Sequence, residues 1–221
     1  MTDVGSSELR GARVVLRDKR PGDAENDYRW RSDPELARLD AAIPLTMSFE
    51  RYLKLFEDQM KYPTPGSHHY SIETLDGLFI GNCMYYDLDT VNREAELGIV
   101  IGDRDYWSDG YGYDAVTTLL DHMFTVRDLK RVYLHTLEWN NRAQKSFSKS
   151  GFNAVRPVRR MAHDFILMDV LRDDWAGRNR RGSQLRSQGG LHWPSGQPRL
   201  GRTQPLRNRN RNATVESFAA T

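Results

Sequence analysis

Two carboxylates, Glu94 and Glu96, lie two positions apart in the run Arg93-Glu94-Ala95-Glu96-Leu97-Gly98-Ile99-Val100-Ile101-Gly102. The run alternates at first and then becomes continuously apolar, the pattern of a strand covered increasingly on both faces. A spacing of two puts both carboxylates on one strand face, where either could accept a proton from an attacking nucleophile. Further on, Trp107-Ser108-Asp109-Gly110-Tyr111-Gly112-Tyr113 carries two glycines one residue apart. Such a turn can curl tightly and aim several backbone N–H groups at one point, which suits a phosphate.

Other elements must hold these groups in place. Val116, Leu119, Leu120 and Met123 recur at helical spacing, so a helix follows the glycine turn with its positive N-terminal end directly behind it. Arg131-Val132-Tyr133-Leu134-His135-Thr136-Leu137-Glu138 then alternates as a strand. Asn140-Asn141-Arg142-Ala143 opens a second helix with Asn140 as a candidate cap, and Ser150-Gly151 closes it with glycine in the left-handed conformation.

In this order the residues resemble the acyl-CoA-binding core of the GNAT N-acetyltransferases, whose turn reads Q/R-x-x-G-x-G/A. Here the window is Trp107-Ser108-Asp109-Gly110-Tyr111-Gly112. Its leading Trp departs from the general pattern and is similar to the ribosomal-protein N-terminal acetyltransferase branch, where Tyr-Trp precedes a G-Y-G turn. Asn140-x-x-Ala143-x-x-x-Phe147-x-Lys149-x-Gly151-Phe152 is similar to that branch's N-x-x-A-x-x-x-Y-x-K-x-G-F, and Trp30-Arg31-Ser32-Asp33-Pro34-Glu35 resembles it as well. The two motifs stand about 30 residues apart, joined by a helix and a strand, and that ordered pairing is far more specific than a lone G-x-G.

The resemblance implies a mixed α/β domain with a mostly antiparallel, twisted central sheet and helices on both faces. It also implies acetyl-CoA as co-substrate and direct transfer of the acetyl group to a primary amine, on a protein N-terminus or a small molecule. Pyrophosphate would sit on the N–H groups of Trp107, Ser108, Asp109, Gly110, Tyr111, Gly112 and Tyr113. Pantetheine would run along Val100 and Ile101, where the strand bulges and splays from its neighbour, and Asn140 would orient it through its amide. An alkyl amine has a pKa near about 10 and is mostly protonated at neutral pH, so a base is needed. Glu96, which matches the branch's Glu-Leu-Gly, is the expected base.

Two departures bear on chemistry. Asp109 stands where many relatives carry Lys or Arg, and a carboxylate beside pyrophosphate is unfavourable unless it turns to solvent or caps the helix. Phe147 replaces the tyrosine that commonly donates a proton, which leaves water to protonate a thiolate whose conjugate thiol has a pKa of about 8–9. A non-catalytic acyl-CoA-binding relative is therefore the alternative expectation.

The chain of 221 residues is 38% hydrophobic and 28% charged, enough for one substantial core. Cys83 is its only cysteine and lies in an apolar strand, so a disulfide framework is excluded and core packing is expected. His68 and His69 are adjacent, which on a strand sends them to opposite faces, and no metal site is expected. No basic, apolar leader or membrane-length run is present, which sets the expectation of a cytoplasmic protein. The net charge of +2 hides an uneven distribution: residues 176–221 contain nine arginines and one acid, Glu216. An N-acetyltransferase domain over 10–175 is expected, followed by an Arg-rich disordered tail over 176–221. RNA binding through that tail is the less favoured expectation, because the arginines lack interleaved aromatic residues.

Elsewhere, 12–17 reads as a first strand, and 23–31 as a helix restarting at Asp33-Pro34. Residues 49–61 read as an amphipathic helix capped by Ser48. Asp76-Gly77 marks a tight hairpin, and two strands close the domain after Gly151.

Overall fold

A computed structural model of the chain describes residues 8–177. One eight-stranded sheet runs through it in the order β1-β2-β3-β4-β5-β6-β8-β7. The strands are β1 (Leu9–Arg10), β2 (Val14–Asp18), β3 (His68–Thr74), β4 (Phe79–Asp89), β5 (Glu94–Ile101), β6 (Arg131–Leu137), β7 (Asn153–Arg160) and β8 (His163–Leu171). All neighbours are antiparallel except β5 and β6, which are parallel and joined by α4 (Tyr111–Thr125). A parallel pair needs such a crossover, and the crossover carries the glycine turn.

The helices α1 (Ala24–Arg31), α2 (Pro34–Leu39) and α3 (Phe49–Lys61) precede β3, and α5 (Asn141–Ser150) follows β6. Their starts are set by local chemistry. The Asp33 carboxylate accepts the N–H groups of Glu35 and Leu36 at 2.9 and 3.1 Å, with Pro34 in the first helical position, and Ser48 Oγ accepts the Arg51 N–H. Between β3 and β4 the chain turns at Asp76-Gly77, where Gly77 has φ +90° and donates to the Thr74 carbonyl. Leu97, Ile99 and Ile101 alternate onto the buried face of β5, in one core with Leu119, Leu120 and Met123 of α4.

Leu9 and Arg10 pair with Leu16 and Val15 as β1, ahead of the expected first strand. Asp23 stands at the N-cap of α1, as the expected helix over 23–31 requires, after a 3-10 turn over Pro21–Asp23; its buried carboxylate is held by Arg17, whose guanidinium donates to it twice at 2.7 and 2.8 Å. The two expected closing strands are present, with β8 inserted between β6 and β7. Trp175 ends the described core, as its indole packs against Phe124 and donates to Asp121 at 2.7 Å. Nearly all of the proposed tail lies outside the described residues. Among the described residues, no helix is long and apolar enough to cross a membrane.

Candidate active site

The parallel pairing of β5 and β6 is short. Glu94 meets Arg131, Ala95 meets Val132 and Glu96 meets Tyr133, and there it stops. From Leu97 to Ile101 the β6-facing edge of β5 has no strand partner among the described residues, while its other edge stays paired with β4 from Gly81 to Tyr86. The strands therefore fork, as expected, and an unpaired strand edge offers N–H and C=O groups to a ligand laid along it. The expected bulge is not in this part of β5. The register shift falls between Tyr86 and Asp89 of β4, where Asp87 has φ +51°.

Glu96 sits at the crotch of the fork. It is only 2% exposed, so it is not a solvent-facing strand residue. Its Oε1 lies 2.7 Å from Nδ1 of His135, two residues past the last paired position of β6. Its Oε2 lies 3.6 Å from Arg160 of β7, and it hydrogen-bonds with the Tyr86 hydroxyl. Burial, with the Glu96 charge beside it, pushes the Tyr86 hydroxyl well above the ordinary tyrosine range, so Tyr86 remains a donor. Burial and the same carboxylate push Tyr133 up to about 12. Glu94 faces a different partner, Arg131, at 2.9 Å.

At the open end of the fork lies the glycine turn. Arg104–Tyr106 make a 3-10 turn, Ser108 has φ +67°, and Gly110 has φ +88° as the residue preceding α4. The first i→i−4 bond of α4 runs from the Asp114 N–H to the Gly110 carbonyl, so the N–H groups of Tyr111, Gly112 and Tyr113 come before the helical ladder begins. Trp107 is different. Its N–H donates to Arg104, and its buried indole donates to the Ile101 carbonyl at 2.7 Å, so it braces the turn from below rather than offering an N–H group to phosphate. Asp109 is exposed and does not cap α4, whose N-terminal cap is Gly110 without a side-chain bond. Gly112, expected to be a turn residue, lies buried in the first turn of the helix.

Cationic side chains converge on this turn from elsewhere in the chain. Arg142 of α5 donates to Ser108 Oγ at 3.0 Å. The Arg13 guanidinium lies 4.0 Å from where a Cβ on Gly110 would stand, and it faces the Tyr111 ring. Lys149 lies over the Tyr113 ring. Arg13 is brought there by Asp114, whose carboxylate accepts the N–H groups of Ala12, Arg13 and Val14 at 3.1, 2.7 and 3.1 Å. The positive charge missing at Asp109 is therefore supplied from two other segments.

Asn140 divides its amide between two roles. Its Oδ1 caps α5 by accepting the Ala143 N–H at 3.1 Å, while its buried Nδ2 has no partner among the described residues. A buried amide donor without an acceptor is unfavourable, and it fits a carbonyl of a ligand such as pantetheine. Phe147 is buried against Phe152 in the core. Cys83 is fully buried and its thiol is pushed up by burial, which suits packing rather than nucleophilic work.

On the sheet face that carries Glu96, a cavity of about 260 Å³ opens between Asn82, Met84 and Val100 and the early helices. Val100 lines it; Ile101 points the other way, into the core, with no side-chain exposure. Glu96 does not line it. It lies four residues from Val100 along β5, about 13 Å, with Gly98 placing no side chain between them. The cavity floor is polar: Lys19 Nζ donates to Asn82 at 2.6 Å, and Asp27 accepts from Lys19, Asn82 and Tyr52. His69 lines the same wall, and α3 contributes Gln59.

Residues 13–153 match the model of the Acetyltransferase (GNAT) domain, which is more than half of the chain. The chain belongs to the GNAT acetyltransferase family. It is accordingly an acetyl-CoA-dependent acyltransferase, and the fork, the turn and the Asn140 amide fit that co-substrate. This acetyltransferase is 26% identical over 172 residues to an uncharacterized N-acetyltransferase, p20, of Bacillus licheniformis, covering 75% of this chain and 96% of the relative. Its fold is similar to that of a spermidine N-acetyltransferase from Vibrio cholerae solved in complex with CoA and spermine, with a TM-score of 0.65 and 19% identity. That similarity covers 74% of this chain and 98% of the other. A GNAT-family acetyltransferase from Bacillus anthracis matches with a TM-score of 0.64 at 14% identity, over 76% and 99% of the two chains.

The sequence reading missed His135, Arg160, Arg13 and Arg142. Arg142 lies within the Asn140–Phe152 motif, and its positive charge is the available signal. His135 shares a strand face with Tyr133, but nothing local shows which β5 residue it meets.

Proposed function

We propose that the chain moves an acetyl group from acetyl-CoA to a primary amine by direct transfer, with the co-substrate in the β5–β6 fork and the acceptor entering the cavity at Val100. The observation that carries this reading is the unpartnered edge of β5 with the unsatisfied Asn140 Nδ2 beyond it, a ligand-shaped deficit at the place the family binds CoA. Pyrophosphate would accept the N–H groups of Tyr111, Gly112 and Tyr113, with Ser108, Asp109 and Gly110 shaping the turn and Arg13 and Arg142 supplying positive charge.

Glu96 is the proposed base. Its burial and its distance of about 13 Å from Val100 require the amine to advance past Gly98 toward the fork and a chain of waters to carry its proton to the carboxylate. The amine nitrogen then forms a bond to the acetyl carbon as the carbon–sulfur bond breaks, and the CoA thiolate takes its proton from water, since Phe147 has no hydroxyl. His135, Tyr86 and Arg160 hold the Glu96 carboxylate in one orientation, with no side chain acting on the sulfur.

The Tyr-Trp before the G-Y-G turn and the Glu-Leu-Gly of β5 support a place near the ribosomal-protein N-terminal acetyltransferases, so a protein N-terminus or a small amine is the acceptor. The Vibrio neighbour raises polyamines as a further class. A screen of amines and N-terminal peptides with acetyl-CoA, read by thiol release and product mass, tests the reading. Acetylation of any primary amine at a rate well above the background supports it; CoA binding with no transfer to any of them sinks it in favour of a non-catalytic acyl-CoA-binding role.

A further inference from the structure

Resting on that reading, the way the acceptor cavity ends along β5 limits which acceptors it takes. Glu96, Gly98, Val100 and Gly102 alternate onto one face, with Val100 in the cavity wall and Gly98 leaving the sheet bare where the amine passes. Gly102, directly after β5, is covered. A Cβ placed on it would stand 2.0 Å from Cδ2 of Trp30 and 2.4 Å from its Cγ and Cε2, so the indole of α1 is seated on the glycine backbone. Gly102 is not left-handed, and glycine is needed there for space rather than for φ.

The indole is held in that place. It is 5% exposed, its ring lies 4.9 Å from the Phe79 ring, and the Gly102 and Asp103 N–H groups beneath it both donate to the Ile80 carbonyl, at 2.9 and 3.1 Å. The same indole lines the acceptor cavity. From Gly98 to Gly102 the strip measures about 13 Å along the chain, and Trp30 closes its far end. Sideways the floor continues: Asn82 and Met84 of β4 lie opposite Val100 and Gly98, and His69 of β3 lies opposite Met84. A second hollow of about 320 Å³ shares His69, Lys19 and Gln59 with the first.

We infer that Trp30 is a specificity-determining residue of this acetyltransferase: seated on Gly102, its indole limits how far a rigid acceptor can extend along β5 behind its amine, so short primary amines are taken and long rigid ones are turned away. Apolar pocket walls discriminate by roughly 10–200-fold for a misfit as small as one methylene.

The test is steady-state thiol release by the full chain with acetyl-CoA, comparing benzylamine with a para-propyl biphenylmethylamine, whose rigid body and tail outreach the strip. Wild type should favour benzylamine by about tenfold or more in kcat/KM. Trp30→Leu should reduce that preference by about tenfold, with CoA affinity by calorimetry unchanged. Trp30→Phe keeps a ring in the core and should shift the ratio the same way by a smaller factor, which keeps the test open if Trp30→Leu does not fold. Gly102→Ala displaces the indole from the sheet into the cavity and should lower benzylamine turnover, and adding Trp30→Leu to it should recover part of that loss, because the smaller side chain clears the new methyl group. A merely structural role would lower both amines together and leave their ratio in place. Equal use of the two amines by wild type, or a ratio unmoved in the Trp30 variants, overturns the inference while leaving amine acetylation intact, and so does a double variant no better than Gly102→Ala. If none of the proteins turns over either amine, the functional reading and this inference fall together.

Discussion

Glu96 Oε1 and His135 Nδ1 meet at 2.7 Å across the crotch of the β5–β6 fork, both side chains nearly without solvent exposure. The bond spans the point where the strands part, so the same contact closes the fork and fixes the proposed base. A buried carboxylate deprived of its donor is disfavoured in its charged form. His135→Phe should lower kcat by about tenfold, roughly 1.4 kcal/mol of barrier, with KM for acetyl-CoA nearly unchanged. His135→Gln keeps a side-chain donor and should recover most of the loss. Equal kcat in all three proteins would leave His135 with a packing role only.

Gly110, with φ +88° at the start of α4, is where the turn needs a left-handed residue. Gly110→Val should cost about 1–3 kcal/mol of backbone strain and weaken CoA binding as the N–H groups shift. Gly112→Val acts differently, since the residue is helical and buried; it crowds the approach to those N–H groups without the left-handed penalty. Calorimetric titration with CoA should show both losses in proteins that still melt cooperatively, and unchanged affinity in either variant would remove that glycine from the site.

If Arg13 and Arg142 replace the charge absent at Asp109, neutralising either should weaken CoA by roughly tenfold, in line with a charge-assisted hydrogen bond. The loss should shrink as salt is raised, because these contacts are partly screened. Arg13→Gln and Arg142→Gln titrated with CoA at low and high salt decide the matter; wild-type affinity at low salt in both would mean that the turn backbone suffices.

What could be read in the sequence was local. Asp33 and Ser48 as helix caps, the Asp76-Gly77 turn and Gly151 ending α5 depend on residues within a few positions, and the structure places them as expected. The failures share a cause in contacts made across the fold. Glu96 and His135 are 39 positions apart and meet only through the register of a parallel pair. Trp107 looked like part of the phosphate turn, yet the carbonyl that takes its indole N–H belongs to the strand behind it. The inserted position of β8 follows from sheet pairing, which no alternation pattern encodes.

His69 gives a pH-dependent signature. Its imidazole is driven to about 4 in the fold, chiefly by burial, against an ordinary 6.5. Between these values the unfolded chain holds a proton that the folded chain does not, so stability rises with pH across the window and is lost as pH falls from about 6.5 toward 4. The contribution is at most about 3 kcal/mol. Urea midpoints at pH 7 and pH 4.5 should differ less in His69→Gln than in the wild type, and identical differences would show that His69 titrates normally.

The most direct test of the account is the pH dependence of amine acetylation by Glu96→Gln, with the chemical step shown to limit turnover. Gln keeps the shape of the side chain and removes its basic charge. The account predicts a loss of roughly 10²–10⁴ in turnover at neutral pH, shrinking as pH approaches the pKa of the amine, where free amine no longer needs a base. Turnover equal to wild type at neutral pH would contradict it, and the proton would then have to leave by another group in the acceptor cavity.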